Sequence, residues 1–599
     1  MCALKRPAKE ANLIPMSRLR LFLSCALASV SLSACASLPS QSADALKGPE
    51  AATPPAPNLD APASTYGLFL AAQAAVRSGQ DEQASLFYLR AAHQSPDADF
   101  LRSDAFLAAL AAGDVPRAAD LAPLDGGASP SDVQLGRLTV AAEDLAEGRA
   151  SDAEGVLRAP FSGLNRPAGD LMGPWAAAAA GDWKTALALP EAKEDRLLLT
   201  LAQLNQALLL EEGHRYTQAD AAYRAQLTGG DAAAAEVISA YVDFLLRRNR
   251  RPDAVAVVDK ALADDPSNRA LSLLHARLEA KTPPPPLPSL TAGAGRALFW
   301  PAAVFLAEKQ PEMALDYLQL ILRLDTDRDE AWLLAGDTKV MLGDVDGGRA
   351  AYLHVRAGSP DYLDARERLI QTYDSTNDAA TVLVLAQETV KADPGDDEAL
   401  ELLADALSQA EQYPEAAQVL DTLLQHLGAK AGWQTYFMRG VALDHSGHWA
   451  EAEADFRKAL TLKPDESEVL NYLGYSWIDR GEKLEEAKAM VQRAVDAKPD
   501  SGAMIDSLGW AYYRLGQFGQ AVSELERATE LEPADPDINN HLGDAYWRAG
   551  RRTEARFQWQ RVLTLEPTPK MKAEVEDKLK NGLADDGKPA GPAPTVAAR

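Results

Sequence analysis

Residues 507–533 read SLGWAYYRLGQFGQAVSELERATELEP, a run of helix formers interrupted by glycine at 509 and 516. Glycine inside a helix costs about 0.5–1 kcal/mol relative to alanine, so Gly509 answers a packing need. The same placement recurs on either side, in YLGYSWIDRG (472–481) and HLGDAYWRAG (541–550). Gly440, Gly474, Gly509 and Gly543 are spaced by 34, 35 and 34 residues, and Pro464, Pro499, Pro533 and Pro567 by 35, 34 and 34. Between each glycine and proline stands a small residue (Ala452, Ala487, Ala521, Ala555), followed four positions on by a bulky one (Phe456, Val491, Leu525, Trp559). Each period therefore predicts two helices. Gly509 lets a neighbouring helix approach where a side chain would wedge it away, Gly516 suits the turn between helices, and the proline ends the second helix because it lacks an amide donor.

This pattern resembles the tetratricopeptide repeat, a two-helix unit of 34 residues. The resemblance implies an all-α superhelical solenoid, which suits a chain of 599 residues because each repeat needs only its neighbours for a core. Ala84, Tyr88, Ala91 and Pro96 repeat the spacing near the start of the chain, and Ala254, Val258, Ala261 and Pro266 repeat it further on. Between these and the regular repeats, KTPPPPLPSLTAGAG (281–295) cannot open as a helix and favours an extended polyproline segment. It reads as the joint between an N-terminal array of degenerate repeats (65–280) and a C-terminal array (296–580), with residues 581–599 as a disordered tail.

All three cysteines, Cys2, Cys25 and Cys35, lie in the first 35 residues, which leaves the body without a disulfide framework. MSRLRLFLSCALASVSLSAC (16–35) has Arg18 and Arg20 ahead of an apolar run from Leu21 to Leu32, the pattern of an export signal over residues 1–34. That run falls short of the roughly 20 residues that span a bilayer. The tidy signal begins at Met16, leaving Met1 and Met16 as alternative starts. Its end, Leu32 to Cys35, resembles the lipobox of bacterial lipoproteins. That resemblance implies lipidation of Cys35, a flexible tether over 35–64, and attachment to the periplasmic face of the cell outer membrane, since Ala36 and not aspartate follows the cysteine.

The formal net charge of −27 argues against a nucleic-acid groove or a polybasic membrane patch. No G-x-S-x-G, H-E-x-x-H, C-x-x-C or P-loop occurs. GAGRAL (293–298) lacks the third glycine of a dinucleotide fingerprint, and His445 and His448 read as solvent-facing residues of a turn. The sequence thus predicts no enzyme, no cofactor and no metal, and a function in protein–protein binding.

Residues 470–563, and above all DSLGWAYYRLG (506–516) and the extra residue in GEKLEEA (481–487), resemble the C-terminal block of tetratricopeptide outer-membrane lipoproteins of Gram-negative bacteria. The best-understood member of that family binds a periplasmic carboxyl-terminal processing protease and delivers peptidoglycan hydrolases to it. The resemblance implies such an adaptor. The alternative is an assembly or pilotin-like factor for an outer-membrane machine serving a pilus, secretion or polysaccharide export. With the motif glycine as position eight, the family makes positions 2, 5, 9, 12 and 13 line the partner groove. Here those include Asn471, Tyr475, Ile478, Ile505, Trp510, Tyr513, Arg514, Asn540, Asp544, Trp547 and Arg548. Glu468, Asn471, Gly502 and Ile505 stand where a carboxylate clamp needs basic residues, so capture of a C-terminal carboxylate is not implied.

Overall fold

A computed structural model describes residues 63–583, apart from 125–127, 192–194, 228–233, 267 and 375–377. The signal, Cys35 and most of the tail lie outside the described residues. Within them the ordered structure is 30 α-helices and two short 3-10 turns, with no strand. The described residues divide into two compact units, the first ending at Leu402 and the second starting at Leu403.

In the second unit the helices pair as the sequence predicts: Trp433–His445 with Trp449–Leu462, Ser467–Arg480 with Leu484–Ala497, Gly502–Arg514 with Phe518–Leu531, and Pro536–Arg548 with Arg552–Val562. The first helix of each of the last two pairs begins on a capping side chain, Ser501 accepting from the Met504 amide and Asp535 from the Ile538 amide. It ends at a left-handed glycine; Gly516 has φ +77°. Gly509 is where helix contacts helix: a Cβ there would lie 2.6 Å from Leu525 Cγ. Gly440, Gly474 and Gly543 meet Phe456, Val491 and Trp559 in the same way. Each pair of landmarks read from the sequence is therefore one contact inside one hairpin. The extra residue of the 481–487 turn is absorbed by left-handed backbone at Gly481 and Lys483.

Successive hairpins are joined by a contact that the landmarks do not include. Arg493, Arg527 and Arg561, each six residues after the small alanine, donate from Nη2 to the main-chain oxygens of Pro464, Pro499 and Pro533 at 2.8, 2.7 and 2.9 Å. The final pair differs from the others: its second helix stops at Val562, five residues before Pro567, and the helix Pro569–Asn581 packs against it.

The first unit opens with hairpins from Thr65 onward, and Ala84, Tyr88 and Ala91 are buried at their expected places. The proline-rich segment, read from the sequence as a joint between arrays, lies within the first compact unit. Helix resumes at Leu290 inside the supposed joint, and Leu290–Ala307 with Pro311–Leu324 forms a hairpin that returns onto the first helices of earlier pairs, Asp99–Ala111, Pro130–Ala146 and Arg166–Ala179. A Cβ on Gly293 would lie 2.1 Å from the Trp175 ring, so only glycine admits this crossing. Tyr317 Oη donates to Asn165 Oδ1 at 2.6 Å, Gln319 Nε2 to the Ala111 carbonyl at 3.1 Å, and Arg323 reaches both carboxylate oxygens of Glu143 and one of Glu147. Leu290–Ala307 is apolar and long enough to cross a bilayer, but Ala294, Leu298, Ala302 and Phe305 are buried within this unit.

Candidate functional site

The residues assigned to the partner groove fall into three groups. Ile478 and Ile505 are both 0 % exposed and belong to the core of the second unit, which corrects that portion of the assignment. For Ile505 the cause is register. Asn471 and Asn540 lie three residues before Gly474 and Gly543, so the matching residue before Gly509 is Asp506, and the second position is Ala503 and not Gly502. One residue along a helix is about 100° of rotation, enough to turn a groove position into a core one.

Asn540, Asp544 and Trp547 are covered by the chain itself. Lys578, on the last helix, donates from Nζ to Asp544 Oδ2 at 2.8 Å and to Asn540 Oδ1 at 3.0 Å, and pairs with Glu574 at 2.6 Å. Trp559 Nε1 donates to the other Asp544 oxygen at 2.9 Å. Lys578 is itself buried. Burial acts to lower its pKa, but Asp544 and Glu574 outweigh that and hold the ammonium charged. Trp547 lies against Trp559 with ring centroids 5.4 Å apart, and Gly582 passes so close that a Cβ there would overlap its ring.

Asn471, Tyr475, Trp510, Tyr513, Arg514 and Arg548 form the third group and remain partly exposed on consecutive first helices. The Trp510 indole is stacked between Tyr513, centroids 4.4 Å apart and 6° from parallel, and His541, 4.2 Å and 17°. His541 Nδ1 is 2.9 Å from Asp506 Oδ2. Burial works to lower the His541 pKa, yet Asp506, Asp537 and Asp544 raise it above the ordinary 6.5. Burial likewise lifts the Asp537 carboxyl to about 6. Arg514 Nη1 donates to the Asp479 carbonyl at 2.9 Å, tying this face to the preceding turn. Asn471 Oδ1 is buried and accepts no hydrogen bond among the described residues. The arrangement is a rigid aromatic shelf flanked by guanidinium and amide groups, the composition of protein-recognition hot spots.

Sequence reasoning missed His541, Asp506 and Lys578 as members of this face. Asp506 and His541 stand three and two residues before successive motif glycines, a signal visible once the register is right. Lys578 lies beyond the last repeat and has no such marker. His445 and His448 flank their turn and are both exposed, with the His445 ring stacked on Tyr413. Among the described residues no group of three His, Cys, Asp or Glu side chains converges to hold a metal ion.

Residues 292–567 match a family model described as tetratricopeptide repeat. No curated protein matches the sequence. Among solved structures the chain is similar to a tetratricopeptide repeat protein from Parabacteroides merdae, at 13% identity over 42% of this chain and 99% of that one, with a TM-score of 0.37. It is also similar to the Cut9–Hcn1 hetero-tetramer of the APC/C (15% identity, 87% and 97% coverage, TM-score 0.36) and to yeast Tom70 (14%, 86% and 95%, 0.32). The fold is an all-α tetratricopeptide-repeat solenoid. Repeat solenoids of this class expose extended surfaces on which other proteins bind.

Proposed function

We propose that the protein is a non-enzymatic scaffold of the bacterial envelope, lipid-anchored through Cys35 to the periplasmic face of the outer membrane. Its partner-binding face is Asn471, Tyr475, Trp510, Tyr513, Arg514 and Arg548. The partners that the 470–563 block suggests are a periplasmic carboxyl-terminal processing protease and peptidoglycan hydrolases delivered to it, held together so that their effective concentration rises. The observation that carries the reading is the Trp510 shelf, a large aromatic surface held rigid by Tyr513 and His541 and bordered by Arg514. Rigid aromatics with arginine give contact area at small entropic cost.

Affinity purification of the full chain from detergent extracts tests this directly. The expected result is a processing protease and a cell-wall hydrolase in the eluate, both lost with the double variant Trp510→Ala, Arg514→Glu. Secretin or pilus subunits in their place would give the assembly-factor reading. Cys35→Ser is expected to move the protein from the membrane to the soluble fraction; retention in the membrane would refute the anchor.

A further inference from the structure

The last hairpin carries a surface that its repeat geometry does not require. Two positions after the buried alanine, the second helices of the preceding three pairs present Ala454, Ala489 and Ser523; here the residue is Phe557, 66% exposed. Three positions before that alanine they carry Trp449, Leu484 and Phe518, and here stands Arg552. Together Arg552, Thr553, Arg556, Phe557 and Gln560, on one face of the Arg552–Val562 helix, line a shallow, open cleft of about 290 Å³. An exposed phenylalanine alone means little; its setting between two guanidinium groups is what matters.

Those groups are available. Arg552 lies over the Trp547 ring at 5.1 Å and has no carboxylate or carbonyl partner among the described residues. Arg556 gives one N–H to the Leu579 carbonyl at 2.7 Å and lies 5.8 Å over the same ring. Glu554, the one acid on this helix, is bonded by Arg551. Residues 551–572 hold six basic side chains against Glu554 and Glu566, in a chain whose formal charge is −27.

We propose that this cleft is a second docking site, separate from the Trp510 face, for an acidic protein segment bearing an apolar side chain. The two guanidinium groups bind its carboxylates through charge-assisted, planar hydrogen bonds, and Phe557 receives the apolar residue. A basic island on an acidic molecule also fixes where such a segment can land. An anionic bilayer fits less well, because the net charge of −27 opposes approach to such a surface. The chain's own tail, 584–599, offers Asp585 and Asp586 but has no aromatic, leucine, isoleucine or methionine to meet Phe557.

The test is fluorescence anisotropy on the full chain with a rhodamine-labelled hexapeptide, Glu-Asp-Leu-Glu-Asp-Leu, and its Lys-for-acid counterpart. Binding of the acidic peptide alone is expected, weakened about tenfold by Arg552→Glu and by Phe557→Ser and unchanged by Trp510→Ala. All these residues are at least partly exposed, and circular dichroism melting checks that each variant folds. Equal binding by the Arg552 and Phe557 variants overturns the site. So does uptake of phosphatidylglycerol vesicles that the same variants abolish, which assigns the cleft to a membrane, or tighter peptide binding after deletion of 584–599, which assigns it to the tail. Because the Trp510 face is untouched by these changes, failure here leaves the scaffold reading standing.

Discussion

In the second unit, each motif glycine of the regular repeats meets a residue 16 or 17 positions on in its own hairpin: Gly440 to Phe456, Gly474 to Val491, Gly509 to Leu525, Gly543 to Trp559. In the first unit close glycine contacts also join distant segments: Gly293 to Trp175, Gly113 to Gln319, Gly79 to Asp344. The same device, a missing Cβ that admits a neighbour, serves local stacking in one unit and long-range closure in the other. The lesson concerns the inner faces of the hairpins. In the first unit the chain fills some of that face with its own residues 290–324; in the second, residues 467–514 keep theirs partly exposed.

Trp175→Ala is expected to strike this contrast hardest. It removes a fully buried ring on which the returning hairpin rests, at a cost of about 3–5 kcal/mol, measured by urea denaturation. Hydrogen exchange should rise across 290–324 and stay unchanged across 502–531. Exchange rising equally in both regions would mean that the closure is not confined to the first unit. Lys578→Met is expected to cost the second unit about 3–5 kcal/mol, because it leaves Asp544 buried without its cation. A loss below about 1 kcal/mol would show that the last helix does not cap the array through this pair.

Gly509→Leu tests the local contact and should cost about 1–3 kcal/mol by overpacking against Leu525. Its effect should be partly rescued by Leu525→Ala, which makes room for the added side chain. The smallest effect is one of pH. The folded state raises the His541 pKa, so its contribution is complete below about pH 6.5 and is lost as pH rises through the higher folded value. The melting temperature of the second unit should therefore decline as pH rises above that point, and His541→Gln should flatten the decline. Asp537 acts in a separate window, between its ordinary 3.8 and about 6. There the folded state holds its proton more tightly, so stability also falls as pH rises.

The contrast explains what could be read in advance. Residues 433–567 were legible because each contact repeats at a fixed short spacing, so Gly509 and Leu525 announce each other. The return of 290–324 was not. Tyr317 and Asn165 are 152 residues apart, and nothing about either residue names the other. The proline run 283–286 reports only that a helix ends, not where the chain goes next; Arg247 in fact ties it down through the Pro285 carbonyl. The binding face was half legible. Trp510, Tyr513 and Arg514 follow from the motif register, whereas an error of one residue at Ile505 hid Asp506, and the covering of Asp544 by Lys578 needed three dimensions. Phe557 was visible only as a departure from small residues at its repeat position.

The arginines that bridge successive hairpins have an evolutionary consequence. Arg493, Arg527 and Arg561 each grip a main-chain oxygen, an acceptor that proline at that place always supplies. A gene duplication or loss of one whole 34-residue period would therefore reproduce a matched junction without any compensating substitution. Growth of the array by copying is chemically permitted, and lineage differences in repeat number are the trace it would leave.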